Sequence, residues 1–238
     1  MYITKRVLIF AVICAAIPAF VFGQSSSRTA YAGQELSVEQ SYLQESVELM
    51  IIREQSRTES RDMKFVALEY INDAIDRGNK SDDIRAALEY LSLEGVVNVT
   101  RENGRVINNY PDVRRQAATY LGKLGTPEAK TTLIRMVNAD NEPMVITEAI
   151  RSLGVMANDD NGEVSRNIVI TLNRFHNLNP DNFMALSAIE AFEKIAEANR
   201  GIRDRNVLEI LIKIADGPYV PVVQNRARAL LNDLRNYE

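Results

Sequence analysis

Five stretches of this chain carry the same apolar stripe, and each has alanine at the same place within it. Read at offsets 0, 4, 7, 8 and 11, the first gives Met63, Ala67, Tyr70, Ile71 and Ala74, and the second Val113, Ala117, Tyr120, Leu121 and Leu124. The third gives Val145, Ala149, Ser152, Leu153 and Met156, the fourth Met184, Ala188, Ala191, Phe192 and Ile195, and the fifth Val223, Ala227, Leu230, Leu231 and Leu234. Those offsets fall on one face of an α-helix. Only Ser152 interrupts the apolar or aromatic stripe. An amphipathic helix accounts for the stripe; the fixed alanine adds a demand for close approach by a neighbouring helix. Successive alanines lie 50, 32, 39 and 39 residues apart. A period near 40 fits a repeat made of two helices.

Partner helices with a looser pattern lie between these stretches. They carry Leu43-Val47-Met50-Ile51, Ile84-Leu88-Leu91, Ala129-Leu133-Met136-Val137, Val164-Ile168-Leu172-Phe175 and Val207-Leu211-Ile214-Ala215. Ser37 with Gln40 can form a capping box, and Thr126-Pro127-Glu128 reads as an N-cap, a first-turn proline and an acid facing the helix dipole. Gly78, Gly95, Gly125, Gly201 and Gly217 sit where helices should stop, as left-handed C-caps would. Short connections make neighbouring helices antiparallel. The expected fold is therefore all-α, a short α-solenoid of about five antiparallel helix pairs, with a non-repetitive helical bundle as the alternative.

The stretch Pro111-Asp112-Val113-Arg114-Arg115-Gln116-Ala117-Ala118-Thr119-Tyr120-Leu121-Gly122 resembles the second helix of the HEAT-repeat family, Val-Arg-x-x-Ala-x-x-x-Leu-Gly, and Ala149 with Leu153-Gly154 repeats its tail. The resemblance is good over 111–234 and weaker over 37–95. The family often places Arg after the Val. Arg114 matches, Lys64 substitutes for it, and Ile146, Ala185 and Gln224 depart from it. The resemblance implies a HEAT-like (armadillo-like) array whose bracing Asp–Arg ladder is mostly missing. It also implies a concave face lined by one helix of each pair, and protein–protein scaffolding as its work.

The first spacing is too long for a bare helix pair. The excess, 96–109, has two β-branched runs flanking Asn103-Gly104. Asn-Gly is the strongest short hairpin signal, because a type I′ turn needs positive φ at both central positions. A β-hairpin inserted between two helices follows. Arg101, Asn103 and Arg105 at its tip are candidate partner-binding residues, with an acidic partner in view; the other reading is a flap that covers apolar surface at a weak repeat junction.

Lys5-Arg6, the uncharged apolar run 7–22 and the switch to Gly23-Gln24-Ser25-Ser26-Ser27 have the layout of a secretory signal peptide. The expected organisation is a signal over 1–23, a flexible linker over 24–36 and a repeat domain over 37–238; an uncleaved anchor and cleavage after Ala32 are the alternatives. Cys14, the only cysteine, lies inside the apolar run. Past the signal no disulfide, thiolate nucleophile or Cys-ligated metal can form. A periplasmic or secreted protein held together by packing alone is expected.

The chain has 28 basic and 32 acidic residues, and from Gln24 onward 26 and 32, a net of −6. That balance speaks against a nucleic-acid partner, whose phosphates need a basic surface. His176 is the only histidine, so no His-based triad or two-His metal site can be built. Asp82-Asp83 and Asp159-Asp160 read as a solvated turn or a first helical turn. The stretch 158–163 has the flavour of a calcium loop, but Ala157 and Ile168 stand where its first and twelfth ligands belong. The expectation is a non-enzymatic scaffold or adaptor without cofactor or metal, probing a protein or peptide partner, and a monomer, since the last helix ends in a polar tip. The alternative is a HEAT-like enzyme or small-ligand factor, similar in its helix pairs to the phycobilin lyase group.

Overall fold

The computed structural model describes residues 37–202 and 204–237. Within them lie ten α-helices: α1 (Val38–Arg57), α2 (Arg61–Asp76), α3 (Asp82–Leu93), α4 (Pro111–Leu124), α5 (Pro127–Ala139), α6 (Pro143–Met156), α7 (Glu163–Leu178), α8 (Asn182–Asn199), α9 (Arg205–Asp216) and α10 (Pro221–Leu234). A single 3-10 turn, Arg235–Tyr237, follows α10. The expected signal and linker lie outside the described residues.

Consecutive helices pack as five pairs, α1 with α2 through α9 with α10. The odd-numbered helices each touch the next odd one, and the even-numbered helices the next even one, so two rows run side by side. This is the solenoid expected from the repeated stripe. All five register alanines, Ala67, Ala117, Ala149, Ala188 and Ala227, are fully buried. Proline opens α4, α5, α6 and α10, where its missing N–H would have no helical partner. The Thr126 hydroxyl accepts from the Ala129 N–H at 3.2 Å, as an N-cap does.

Two glycines also mark close approaches in the even row. A Cβ on Gly122 of α4 would lie 2.8 Å from the Ser152 Cβ, and one on Gly154 of α6 would lie 2.6 Å from the Ala191 Cα. Each glycine is a notch that receives the stripe residue of the next even helix. That is why Ser152 and Ala191 are small where the first two repeats have Tyr70 and Tyr120.

Two features differ from the sequence reading. Gly217 has φ −89, not a left-handed conformation; it is required because a side chain there would run into the Lys213 carbonyl and the His176 ring. Leu43, Val47 and Met50 of α1, expected to face the core, are exposed. From α1, Ile52 enters the main core and Leu49 packs against it. In the four later odd helices the matching stripe is buried, apart from Phe175, which is half-buried.

The bracing ladder exists in two rungs. Lys64 of α2 reaches Glu94 at the end of α3, 2.8 Å away, with both side chains buried. Arg114 of α4 reaches Asp140 at the end of α5, again buried on both sides. Ile146 and Ala185 occupy the equivalent positions of α6 and α8, so the ladder stops there.

Candidate functional interface

The candidate interface lies along the edge where the first helix of each pair turns into the second. Strands β1 (Arg101–Glu102) and β2 (Arg105–Val106) form the expected antiparallel hairpin between α3 and α4. Asn103 and Gly104 have φ 49 and 80, the two positive values that a type I′ turn needs.

The base of the hairpin is fixed to the array. The Asn108 side chain accepts from the Thr100 N–H at 2.9 Å and donates to the Asn98 carbonyl at 2.8 Å. Ile107 N–H donates to the Thr100 carbonyl at 3.1 Å. Gly95, with φ 77, lets the chain pass Asn108, whose carbonyl would sit 2.5 Å from any Cβ. Beneath this the Arg114 guanidinium donates to both Asp140 oxygens, to the Asn109 side chain at 2.8 Å and to the Glu94 carbonyl at 3.2 Å. A buried cation with this many acceptors is a rigid fastening, since each lost bond would leave a desolvated charge.

The pairing register sets Arg101 opposite Val106 and Glu102 opposite Arg105. Residues directly opposite share a ribbon face, and neighbours along a strand alternate. Arg101 and Arg105 therefore lie on opposite faces, and the hairpin does not bring them together. Arg101 and Val106 line a cleft of about 320 Å³ with Asn109, Arg114, Asp140 and Glu142. Arg101 also donates to the Gly104 carbonyl at 3.3 Å. Arg105 is exposed beside Glu102. Asn103 shapes the turn.

The rest of this edge carries exposed apolar side chains that the sequence reading did not single out. Met144, Phe183 and Val222 each hold the second position of an even helix, α6, α8 and α10. Their exposures are 47%, 78% and 71%, and Leu178 at the end of α7 is 80% exposed. The signal was present: an apolar residue just before the buried Val145, Met184 and Val223, where α4 has Asp112. It was unreadable because a stripe analysis assigns such residues to the core by default.

Other polar positions resolve into structural roles. His176 lies in the last turn of α7, its Nδ1 3.2 Å from the Tyr219 hydroxyl and its ring stacked on that of Tyr219. Asp159 accepts from the backbone N–H groups of Val164 and Ser165, one on each oxygen, so it holds the start of α7. Among the described residues no group of three His, Cys, Asp or Glu side chains is placed to hold a metal ion. No helix among them is long and apolar enough to cross a membrane.

A family model of HEAT repeats matches residues 107–154, from the end of the hairpin through the Gly154 notch. That stretch is similar to HEAT repeats. The match spans α4, α5 and most of α6, the stretch where the Arg114 rung and both glycines of the HEAT pattern occur. No curated protein matches the chain. In HEAT terms, the odd helices are the first helices of each repeat and the even ones the second, and the hairpin is an insertion within the second repeat.

Proposed function

We propose that this HEAT-repeat chain is a non-enzymatic scaffold of the cell envelope that holds a protein partner along its turn edge. The observation that carries the reading is the series Met144, Leu178, Phe183 and Val222, exposed at three successive turns between paired helices. Isolated apolar residues on a surface need no explanation, but a series that recurs at the same place in successive repeats supports an interaction site. The hairpin flanks that edge with a cleft and Arg101, a polar rim next to an apolar centre. Export rests on Lys5-Arg6 and the apolar run that follows them.

The test is crosslinking of the tagged full-length chain in native membranes and periplasm, repeated with Phe183→Glu plus Leu178→Glu and with Arg101→Glu. One recurrent protein, lost with the double variant and weakened with Arg101→Glu, is the expected result. Equal recovery with all variants removes the edge from consideration. Recovery of a visible-absorbing small molecule in place of a protein moves the chain to the ligand-binding reading.

A further inference from the structure

The two ends of the array are complementary. Leu43, Val47 and Met50 repeat at i, i+4 and i+7, one side of α1, turned away from the buried Ile52 and Ser56. They are 65%, 50% and 59% exposed. Glu39 and Glu54 fall on the same side, one turn before and one turn after the stripe. Among the described residues neither carboxylate has a hydrogen bond or an ion pair. In the later odd helices the matching stripe is buried, whereas on α1 it is exposed.

At the other end a groove of about 740 Å³ opens between α9, α10 and the turn that leads into α9. Leu208, Ile212, Leu231 and Leu234 line it, and Ile212 is 52% exposed. Arg200, Arg205 and Arg235 also line it, and among the described residues none of the three guanidinium groups has an acidic or hydrogen-bonding partner. Asp204, the carboxylate at the groove, is engaged as the N-cap of α9, accepting from the Asn206 N–H at 3.0 Å. Arg205 stands in the first turn of α9, where the helix dipole disfavours a cation. This end therefore presents an apolar surface with a net positive rim, and the α1 end an apolar stripe flanked by two acids.

We propose that the α1 face of one copy docks into the α9–α10 groove of a second copy, so that copies stack head to tail in the same order as repeats within the chain. The apolar stripe supplies the contact, and Glu39 and Glu54 against Arg200, Arg205 and Arg235 set its direction. Such a contact is heterologous: it leaves one free end of each kind on every assembly. The polar tip of α10, from which a monomer is expected, does not cover the groove, because Leu231 and Ile212 remain partly exposed beside it.

The experiment is sedimentation velocity on the full-length chain over a range of concentration and salt, with Val47→Glu and Ile212→Glu as blocked forms. Both positions are exposed, so circular dichroism should show unchanged helicity. The wild type is expected to sediment faster as concentration rises and slower as salt rises. Each blocked form alone is expected to lose that concentration dependence. An equimolar mixture of the two should form a dimer and nothing larger, because one intact face meets one intact groove and the remaining faces are blocked. A wild type that stays monomeric overturns the proposal, as does a mixture that stays monomeric. Association abolished by Val47→Glu but untouched by Ile212→Glu also overturns it, since that would be a symmetric contact between two α1 helices.

Discussion

Arg114 and Asp140 form a two-pronged ion pair, Nε to Oδ2 at 2.6 Å and Nη2 to Oδ1 at 3.2 Å, with both side chains out of contact with solvent. The pair joins the second helix of one repeat to the turn of the next, and the same guanidinium secures the hairpin.

Removing one partner leaves the other buried and uncompensated, a loss of about 3–5 kcal/mol. Arg114→Ala and Asp140→Ala should each lower stability on that scale in urea unfolding. The double variant should be more stable than the sum of the two losses by about 1–3 kcal/mol. Strict additivity would show that the two side chains do not act as a pair.

Gly122→Ala inserts a methyl group against Ser152, whose nearest atoms are Cβ, Oγ and Cα. The expected net loss is about 1–2 kcal/mol, overpacking set against the better helix propensity of alanine. Ser152→Gly in the same chain removes two of the three obstructing atoms and should restore most of it. Gly154→Ala meets the Ala191 backbone itself, so Ala191→Gly should rescue it less. Thermal midpoints of the four variants decide the matter.

At the hairpin tip, Gly104→Ala finds nothing within 4 Å of its new methyl group and is strained only by φ 80. A cost of roughly 1–2 kcal/mol confined to the turn follows. Amide exchange of Ile107 should accelerate while the global midpoint holds. Gly95→Ala, by contrast, meets the Asn108 carbonyl and should loosen the base of the hairpin, slowing nothing and speeding exchange from Asn98 through Ile107.

Acid should act through Asp112. Burial would raise its carboxyl, but hydrogen bonds from the Arg61 side chain and the Val113 N–H, with the Arg61 charge, hold it below its ordinary 3.8. A carboxyl depressed in the folded state contributes stability above its unfolded value and loses it as pH falls through the folded one. The difference in stability between wild type and Asp112→Asn should therefore be constant near neutrality and shrink below about pH 4. An unchanged difference down to pH 2 would show that the Arg61 contact does not persist in solution.

The helix pairs were legible because burial on one face of a helix leaves a period in the sequence, and the five alanines fixed its phase. The type I′ turn was legible because Asn103-Gly104 has few other uses. Contacts between elements were harder. The Arg114 rung could be suspected from the HEAT pattern, yet Glu94 and Asp140 sit at helix ends where no period marks them. Ser152 looked like a defect in its stripe until Gly122 was seen against it. The stripe of α1 shows the limit most directly: Leu43, Val47 and Met50 record that the helix is amphipathic, but not whether any neighbour exists to cover it. Arg101 and Arg105 were grouped by proximity in sequence, and strand alternation separates them.

The rungs and notches also make the array mechanically uneven. Buried ion pairs cross the first and second seams between repeats, and glycine contacts lock the second and third. The fourth seam, between α8 and α10, has no buried ion pair and no glycine notch, and is joined by side-chain packing with a part-exposed Glu193–Arg226 pair at its surface. Treated as a spring, this protein has its stiffest coil at the second seam and its softest at the fourth, so a pull on its two ends should peel away the last helix pair first and leave the fastened hairpin region standing.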